Sequence, residues 1–204
     1  MTATLERGFG WYPGRFDPAA QFRLLADVEA LLAAAPLYRP AMPVSGKPFS
    51  VTMSNAGPLG WVSDRHGYRY QPQHPGTGLP WPPIPDALLA LWEALSGYPA
   101  PPEACLINRY DAKARMGLHC DSDEAAKDAP VLSVSLGDTA VFRLGGLSRK
   151  DPTRSIRLNS GDVLRLGGAS RQAYHGIDRV LGGSSRLLPG GGRINLTLRR
   201  VTVP

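Results

Sequence analysis

Three side chains carry the strongest chemical signal in this sequence. His119 and Asp121 lie two residues apart in Leu118-His119-Cys120-Asp121, and His175 stands far downstream in Tyr174-His175-Gly176. On an extended strand, residues two apart point to the same side, so His119 and Asp121 can converge while Cys120 points away. Two histidines and one carboxylate on one face of an ion leave three coordination positions open. A non-haem Fe(II) centre uses such positions to admit a chelating co-substrate and dioxygen. The same ligand types suit a catalytic zinc ion. Taken alone, a His-x-Asp tripeptide is as readily a pair of unrelated surface or packing residues.

A second signal lies near the carboxyl end, in Arg193-Ile194-Asn195-Leu196-Thr197-Leu198-Arg199. The two-residue period of a strand puts Arg193, Asn195 and Arg199 on one face and Ile194, Leu196 and Leu198 on the other. Two guanidiniums and an amide lining a cavity suit a dicarboxylate, because arginine makes paired hydrogen bonds to carboxylates. An amphipathic edge strand with a solvated basic face is the plainer alternative. Asn108 and Tyr110 repeat the pattern upstream, as two polar groups on one face of an apolar segment. They can complete the same pocket, or Tyr110 can be a core aromatic with its hydroxyl satisfied.

The elements that must position these residues are legible in outline. Asp17-Pro18 is a helix start, with a capping side chain followed by proline at the first helical position. Phe22, Leu25, Val28 and Leu32 then recur at helical spacing until Pro36. A second helix is predicted from Asp86 to Ser96, with Leu88, Leu91, Trp92 and Leu95 on one face. Between them Val51-Thr52-Met53 reads as a short strand, and Trp61, Tyr68 and Tyr70 fall in a hairpin or lid.

After Pro102 short strands alternate with turns. They are expected at Cys105–Tyr110, Met116–His119, Val131–Leu136, Ala140–Leu144, Ser155–Leu158, Val163–Leu166, Gln172–Gly176, Ile177–Val180 and Arg193–Val201. This spacing points to a closed or double-sheet β architecture with helices outside it and a glycine-rich loop at Gly182–Gly192.

Length and composition set bounds. The 204 residues suffice for a single domain with a sizeable core, 1–204. Glycine (23) and proline (20) are abundant without a period, which favours many turns over disorder. Two cysteines, Cys105 and Cys120, are too few and too far apart for a disulfide scaffold or a cysteine-based zinc site. The formal charge of +6 favours a polyanionic partner. No apolar stretch is long enough to span a bilayer, so no membrane partner is expected. Met1–Gly10, with Glu6 and Arg7, lacks a hydrophobic signal core, and a cytoplasmic protein is expected.

With these residues in place, the stretch from Asn108 to Arg199 resembles the AlkB family of nucleic-acid demethylating dioxygenases. The matching segments are Asn108-Arg109-Tyr110, Leu118 through Glu124, Val131 through Gly137, Gly145-Gly146-Leu147, Ser160-Gly161-Asp162-Val163, Tyr174-His175-Gly176-Ile177 and Arg193 through Arg199, in that order and spacing. Met53-Ser54-Asn55, Gly60-Trp61, Gly67-Tyr68-Arg69-Tyr70 and Pro80-Trp81-Pro82 extend the likeness upstream. Two positions depart from the pattern. Arg165 stands where an aromatic is expected, and Ser122 where a basic residue is.

The resemblance implies a mainly β fold with flanking helices (α+β). Its core is a double-stranded β-helix, or jelly roll, over 102–204, and 1–101 supplies helices and a nucleotide-recognition lid. It implies Fe(II) at His119, Asp121 and His175, with dioxygen and 2-oxoglutarate as co-substrates. Arg199 and Asn195 would lie near the oxoglutarate carboxylate that is lost, while Arg193, Tyr110 and Asn108 hold the rest. By the same resemblance Trp61 stacks on the damaged base, Tyr68 meets a backbone phosphate, Asp123 with Glu124 meets the base's exocyclic amine, and Arg149 closes the pocket or reaches the strand. The bland alternatives are core packing for Trp61 and a solvated acidic turn for Asp123 and Glu124.

The implied reaction is demethylation of 1-methyladenine and 3-methylcytosine in DNA. Single-stranded DNA is preferred over double-stranded, RNA is a further substrate class, and the protein acts as a monomer. The competing classes are a dioxygenase hydroxylating a protein or small molecule, and a non-catalytic nucleic-acid-binding module.

Overall fold

The computed structural model describes residues 8–204. The reading of the amino-terminal segment therefore lies, for residues 1–7, outside the described residues. Two antiparallel sheets face each other. The larger has six strands in the order β1 (Phe9–Tyr12), β10 (Val163–Leu166), β7 (Val131–Gly137), β12 (Arg193–Arg199), β5 (Ala104–Tyr110) and β2 (Thr52–Ala56). The smaller runs β6 (Met116–His119), β11 (His175–Leu181), β8 (Thr139–Leu144) and β9 (Arg154–Leu158). A hairpin of β3 (Gly60–Asp64) and β4 (Gly67–Gln71) stands apart as a third, two-stranded sheet. Crossed strand order in two facing sheets is the double-stranded β-helix the sequence leads one to expect.

Two apolar layers hold this together, and strand alternation sorts residues between them. Helices α1 (Pro18–Ala34) and α2 (Asp86–Leu95) cover the outer face of the large sheet. There Leu24, Leu25, Val28, Leu31, Leu88 and Trp92 meet Ile107, Leu132, Val134, Ile194, Leu196 and Leu198. The inner layer lies between the sheets and joins Met53, Leu106, Tyr110 and Leu164 to Ala140, Phe142, Leu144 and Ile177. Thus β12 gives its leucines to the helices and its arginines to the space between the sheets.

The start of α1 is as expected: the Asp17 carboxylate accepts from the Ala20 amide at 2.7 Å, with Pro18 first in the helix. Its inward face is so in part, with Leu25 and Val28 buried as the spacing predicts. Phe22 is 61% exposed, and Leu24 and Leu31 are buried instead. The apolar stripe is rotated because the helix packs through adjacent leucine pairs. The strands expected at Gln172–Gly176 and Ile177–Val180 form one strand, β11, which starts at His175. Residues 172–174 precede it outside any strand. Strand β1 went unread, since four residues of mixed character carry no alternation. It pairs with β10, whose Arg165 reaches across to the carbonyls of Gly8, Leu95 and Ser96 at 3.0–3.3 Å. Arg165 thereby ties the amino-terminal strand to the end of α2.

The glycine-rich loop is anchored at both ends. The Asp138 carboxylate accepts from the amides of Ser185 (3.0 Å) and Gly192 (2.7 Å).

Candidate active site

His119 ends β6 and His175 begins β11, and the two are register partners across that strand pair. Directly opposed residues place their Cβ atoms about 5 Å apart on one face, so the two imidazoles meet with ring centroids 4.5 Å apart. Gly176 permits this approach. A Cβ there would lie 2.5 Å from the Met116 carbonyl oxygen and 2.8 Å from that of Gly117. Asp121 follows the end of β6 and is not on the strand itself. Alternation alone therefore does not aim it. Arg199 and Arg171 do, by gripping its carboxylate and its carbonyl respectively. The ligating atoms of His119, Asp121 and His175 all lie within 4.8 Å of one another.

Electrostatics prepare the trio for a cation. Each histidine holds Nδ1 2.9 Å from a backbone carbonyl, Gly117 for His119 and Ala173 for His175. A carbonyl only accepts, so Nδ1 carries the proton and Nε2 is left as the free lone pair. Burial, together with the neighbouring His119, pushes the His175 pKa down to about 4, against the opposing pull of Asp121. Burial would raise Asp121, but Arg199 and then the two histidines hold its carboxyl well below the usual range. A neutral imidazole and an ionised carboxylate are the forms that bind a metal.

On β12, six residues before Arg199, Arg193 is wholly buried, at 0% exposure, and no carboxylate among the described residues pairs with it. Its Nη2 donates to Ser135 Oγ (3.0 Å) and Asn195 Oδ1 (2.5 Å), and its guanidinium lies 5.2 Å from the Tyr110 ring centroid. Four buried side-chain atoms among the described residues have no partner: Arg193 Nε, Arg193 Nη1, Arg199 Nη1 and Asn108 Oδ1. Three are guanidinium donors, and all four belong to residues singled out for the dicarboxylate. Burying an uncompensated cation costs several kcal/mol, so the site is built for an anion. The edge-strand alternative fails, because β12 lies between β7 and β5 with both faces buried.

The trio, Asn108, Tyr110, Asn195 and Arg199 line one cavity of about 380 Å³, which also reaches Trp61, Tyr68, Asp123 and Arg149, while Arg193 stands behind that wall and is bonded to Asn195. The hairpin register places Trp61, Tyr68 and Tyr70 on one face. Trp61 and Tyr68 stack with centroids 5.4 Å apart, and the Trp61 indole N–H donates to Asp123 Oδ2 at 2.7 Å. Trp61 is thus at the cavity wall and not in the core. Asp123 and Glu124 part company: Asp123 is exposed, while Glu124 is buried and held by Tyr70 and Arg171. Arg171 escaped the sequence reading, and Tyr70 entered it only as a hairpin residue. A lone arginine between Ser170 and Gln172 carries no pattern.

A profile described as the 2OG-Fe(II) oxygenase superfamily matches residues 8–199. The chain is 58% identical over 199 residues to the alpha-ketoglutarate-dependent dioxygenase AlkB homolog of Caulobacter vibrioides (strain NA1000 / CB15N), covering 97% of this chain and 89% of that one. It belongs to the AlkB family. The alpha-ketoglutarate-dependent dioxygenase AlkB of Escherichia coli (strain K12), another member, is 42% identical over 190 residues, covering 91% and 87% of the two chains. The solved structure of OsALKBH1 superposes with a TM-score of 0.78 at 28% identity, covering 95% of this chain and 98% of that one. The AlkB-family chain is accordingly a dioxygenase that depends on Fe(II), 2-oxoglutarate and O2. Among its described residues no helix is long and apolar enough to cross a membrane.

Proposed function

We propose that this dioxygenase removes methyl groups from N-alkylated bases, 1-methyladenine and 3-methylcytosine, in DNA. Single strands are preferred, and RNA is a second polymer it accepts. The observation that carries the reading is a single cavity lined by the His119–Asp121–His175 trio, by Arg199 with its Nη1 donor unpartnered, and by Trp61 and Tyr68 of the aromatic hairpin.

His119, Asp121 and His175 hold the ferrous ion through Nε2, a carboxylate oxygen and Nε2. When bound, the metal with its oxoglutarate and oxygen supplies the oxidising power that hydroxylates a methyl group. Arg193, with Tyr110 and Asn108, takes one end of the dicarboxylate through its free Nε and Nη1. Arg199 Nη1, beside Asn195, faces the other end. The inner part of the cavity runs between the sheets, where Leu106, Phe142, Leu164 and Ile177 give it an apolar lining.

Trp61 stacks on the extruded base, with Tyr68 extending the aromatic wall toward the backbone. A methyl on the pairing edge blocks Watson–Crick pairing, which lowers the cost of flipping such a base out. The exposed Asp123 carboxylate, already holding the Trp61 indole, accepts from the exocyclic amine. Arg149 at the rim reaches a phosphate, and the net charge of +6 supports that contact. Once hydroxylated, the methyl leaves as formaldehyde and the base is restored. The chain acts as a monomer in the cytoplasm.

The test mixes pure protein with Fe(II), 2-oxoglutarate and a methylated single-stranded oligonucleotide, and follows oligonucleotide mass and formaldehyde. Loss of one methyl mass per formaldehyde released is expected. Succinate formation with no change in the oligonucleotide would point to a protein or small-molecule substrate instead.

A further inference from the structure

Glu124 is 3% exposed and sits at the centre of a buried cluster. Its Oε1 accepts from the Tyr70 hydroxyl at 2.5 Å and lies 3.3 Å from Arg199 Nε. Its Oε2 accepts from Arg171 Nη2 at 3.0 Å. Arg171 in turn donates from Nη1 to the Asp121 carbonyl (3.0 Å) and from Nε to the Ala129 carbonyl (2.7 Å). Arg199 is thus gripped on two sides. Asp121 takes Nη2 and Glu124 shares Nε, which leaves only Nη1 without a partner. Two carboxylates and two guanidiniums balance in charge, and in this buried setting an unpaired member would be costly.

The position of Tyr70 gives this cluster a further meaning. Tyr70 belongs to β4 and is the register partner of Trp61 on β3. The hairpin therefore meets the segment after the His119–Asp121 pair at two adjacent residues. Trp61 binds Asp123 at the cavity mouth, and Tyr70 binds Glu124 within. From Tyr70 through Glu124 to Arg199, every link is a hydrogen bond or ion pair between side chains, and Arg199 leads directly to Asp121. The hairpin and Arg199 are thus joined by one contiguous polar chain, whose coupling a double-mutant cycle measures.

We propose that Tyr70 and Glu124 are positioning residues that fasten the aromatic hairpin to Arg199, so that the seating of the hairpin sets the aim of the guanidinium at the co-substrate. This rests on the assignment of Arg199 to 2-oxoglutarate. Glu124 is in that case a support of the oxoglutarate subsite and not a contact for the base. Occupancy of the hairpin by a base and occupancy of the inner cavity by oxoglutarate then reinforce each other, and by linkage the effect is reciprocal.

The test reads co-substrate binding without turnover. Calorimetry measures the 2-oxoglutarate Kd of the Mn(II)-loaded protein for wild type, Tyr70→Phe, Glu124→Gln, the double variant, Arg69→Gln and Arg199→Ala. Tyr70→Phe removes one oxygen and keeps the ring, so it folds even if Glu124→Gln does not. Hydrogen bonds to charged groups are strong enough that each of the first two variants should raise Kd about tenfold. The double variant should be no weaker than the weaker single, because both cut one chain. Arg69→Gln breaks the pair with Asp64 on the opposite hairpin face and should leave Kd unchanged.

An unchanged Kd in Tyr70→Phe overturns the proposal, as do strictly multiplicative losses in the double variant or an equal loss in Arg69→Gln. If Arg199→Ala weakens binding while Tyr70→Phe does not, the oxoglutarate assignment stands and the coupling alone falls. If Arg199→Ala binds as wild type, both fall.

Discussion

Arg199 donates from Nη2 to both carboxylate oxygens of Asp121, at 3.1 and 3.0 Å, in a pair that is almost wholly buried. In the proposed metal site Asp121 would have two tasks: it would offer an oxygen to the metal, and it neutralises a buried cation. The two histidines have no such second task. Asp121→Ala is expected to abolish succinate formation and to lower the stability of the ligand-free protein by about 1–3 kcal/mol, since Arg199 loses Nη2's partner and keeps only its ion pair with Glu124. His119→Ala is expected to abolish succinate formation with little loss of stability, since its side chain is 41% exposed. Succinate assays and thermal melts of the two variants check this. Full activity in either removes that residue from the metal site.

Arg193 is the reverse case, a buried cation with no counter-charge. Arg193→Met replaces it with an apolar chain of similar length. Of the two acceptors left behind, Asn195 Oδ1 keeps a hydrogen bond from Ser133 at 2.9 Å, and Ser135 Oγ loses its arginine donor. The ligand-free variant should be more stable than wild type by about 1 kcal/mol, roughly 2–4 °C in Tm for a chain of this size. Its oxoglutarate requirement should rise sharply. A variant that melts lower and still binds oxoglutarate normally would show that the guanidinium is structural.

How much of this could be read before folding differs by residue. The alternation in β12 placed Arg193, Asn195 and Arg199 on one face, and residue types with the family resemblance singled out His119, Asp121 and His175, whose ligating atoms lie within 4.8 Å of one another. What alternation could not give was the depth of that face, because a strand with two buried faces and a solvated edge strand share one pattern. Asp121 was aimed by a strand rule that stops at His119, and long-range arginines do the work instead. Phe22 was misplaced because helical spacing admits two adjacent stripes. Arg171 and the division of labour between Asp123 and Glu124 are tertiary facts: Glu124 is buried only because Arg171, from the turn before β11, and Tyr70, from the hairpin, arrive around it.

The depressed pKa of His175 fixes a pH dependence. Its folded value, about 4, lies below the ordinary 6.5. Between these values the unfolded chain takes up a proton that the folded chain refuses, so stability rises with pH there. The contribution is complete above about pH 6.5 and disappears as pH falls through about 4. Metal-free wild type should lose stability across this window, and His175→Gln, which cannot titrate, should lose less. Superimposable melting profiles for the two proteins would refute the buried neutral imidazole.

At the cavity mouth two roles can be separated. Trp61→Ala should weaken a methylated oligonucleotide by about 1–3 kcal/mol, the usual worth of one base on an aromatic platform. Arg149→Gln should weaken all sequences alike and reduce the slope of log affinity against log salt by about 0.7, as one phosphate contact to a single strand is lost. Binding titrations at several salt concentrations distinguish them. A Trp61 variant with unchanged binding would return that residue to a packing role.

The central claim is that His119, Asp121 and His175 hold one ferrous ion beside an arginine-lined dicarboxylate cleft. Anaerobic titration of the pure protein with Fe(II) and 2-oxoglutarate, followed by the visible absorption that a chelated ferrous centre gains, tests it most directly. One ion and one oxoglutarate per chain are expected, with the band absent from His119→Ala and Asp121→Ala and weakened in Arg199→Ala. An undiminished band in His119→Ala, at the same stoichiometry, would contradict the account.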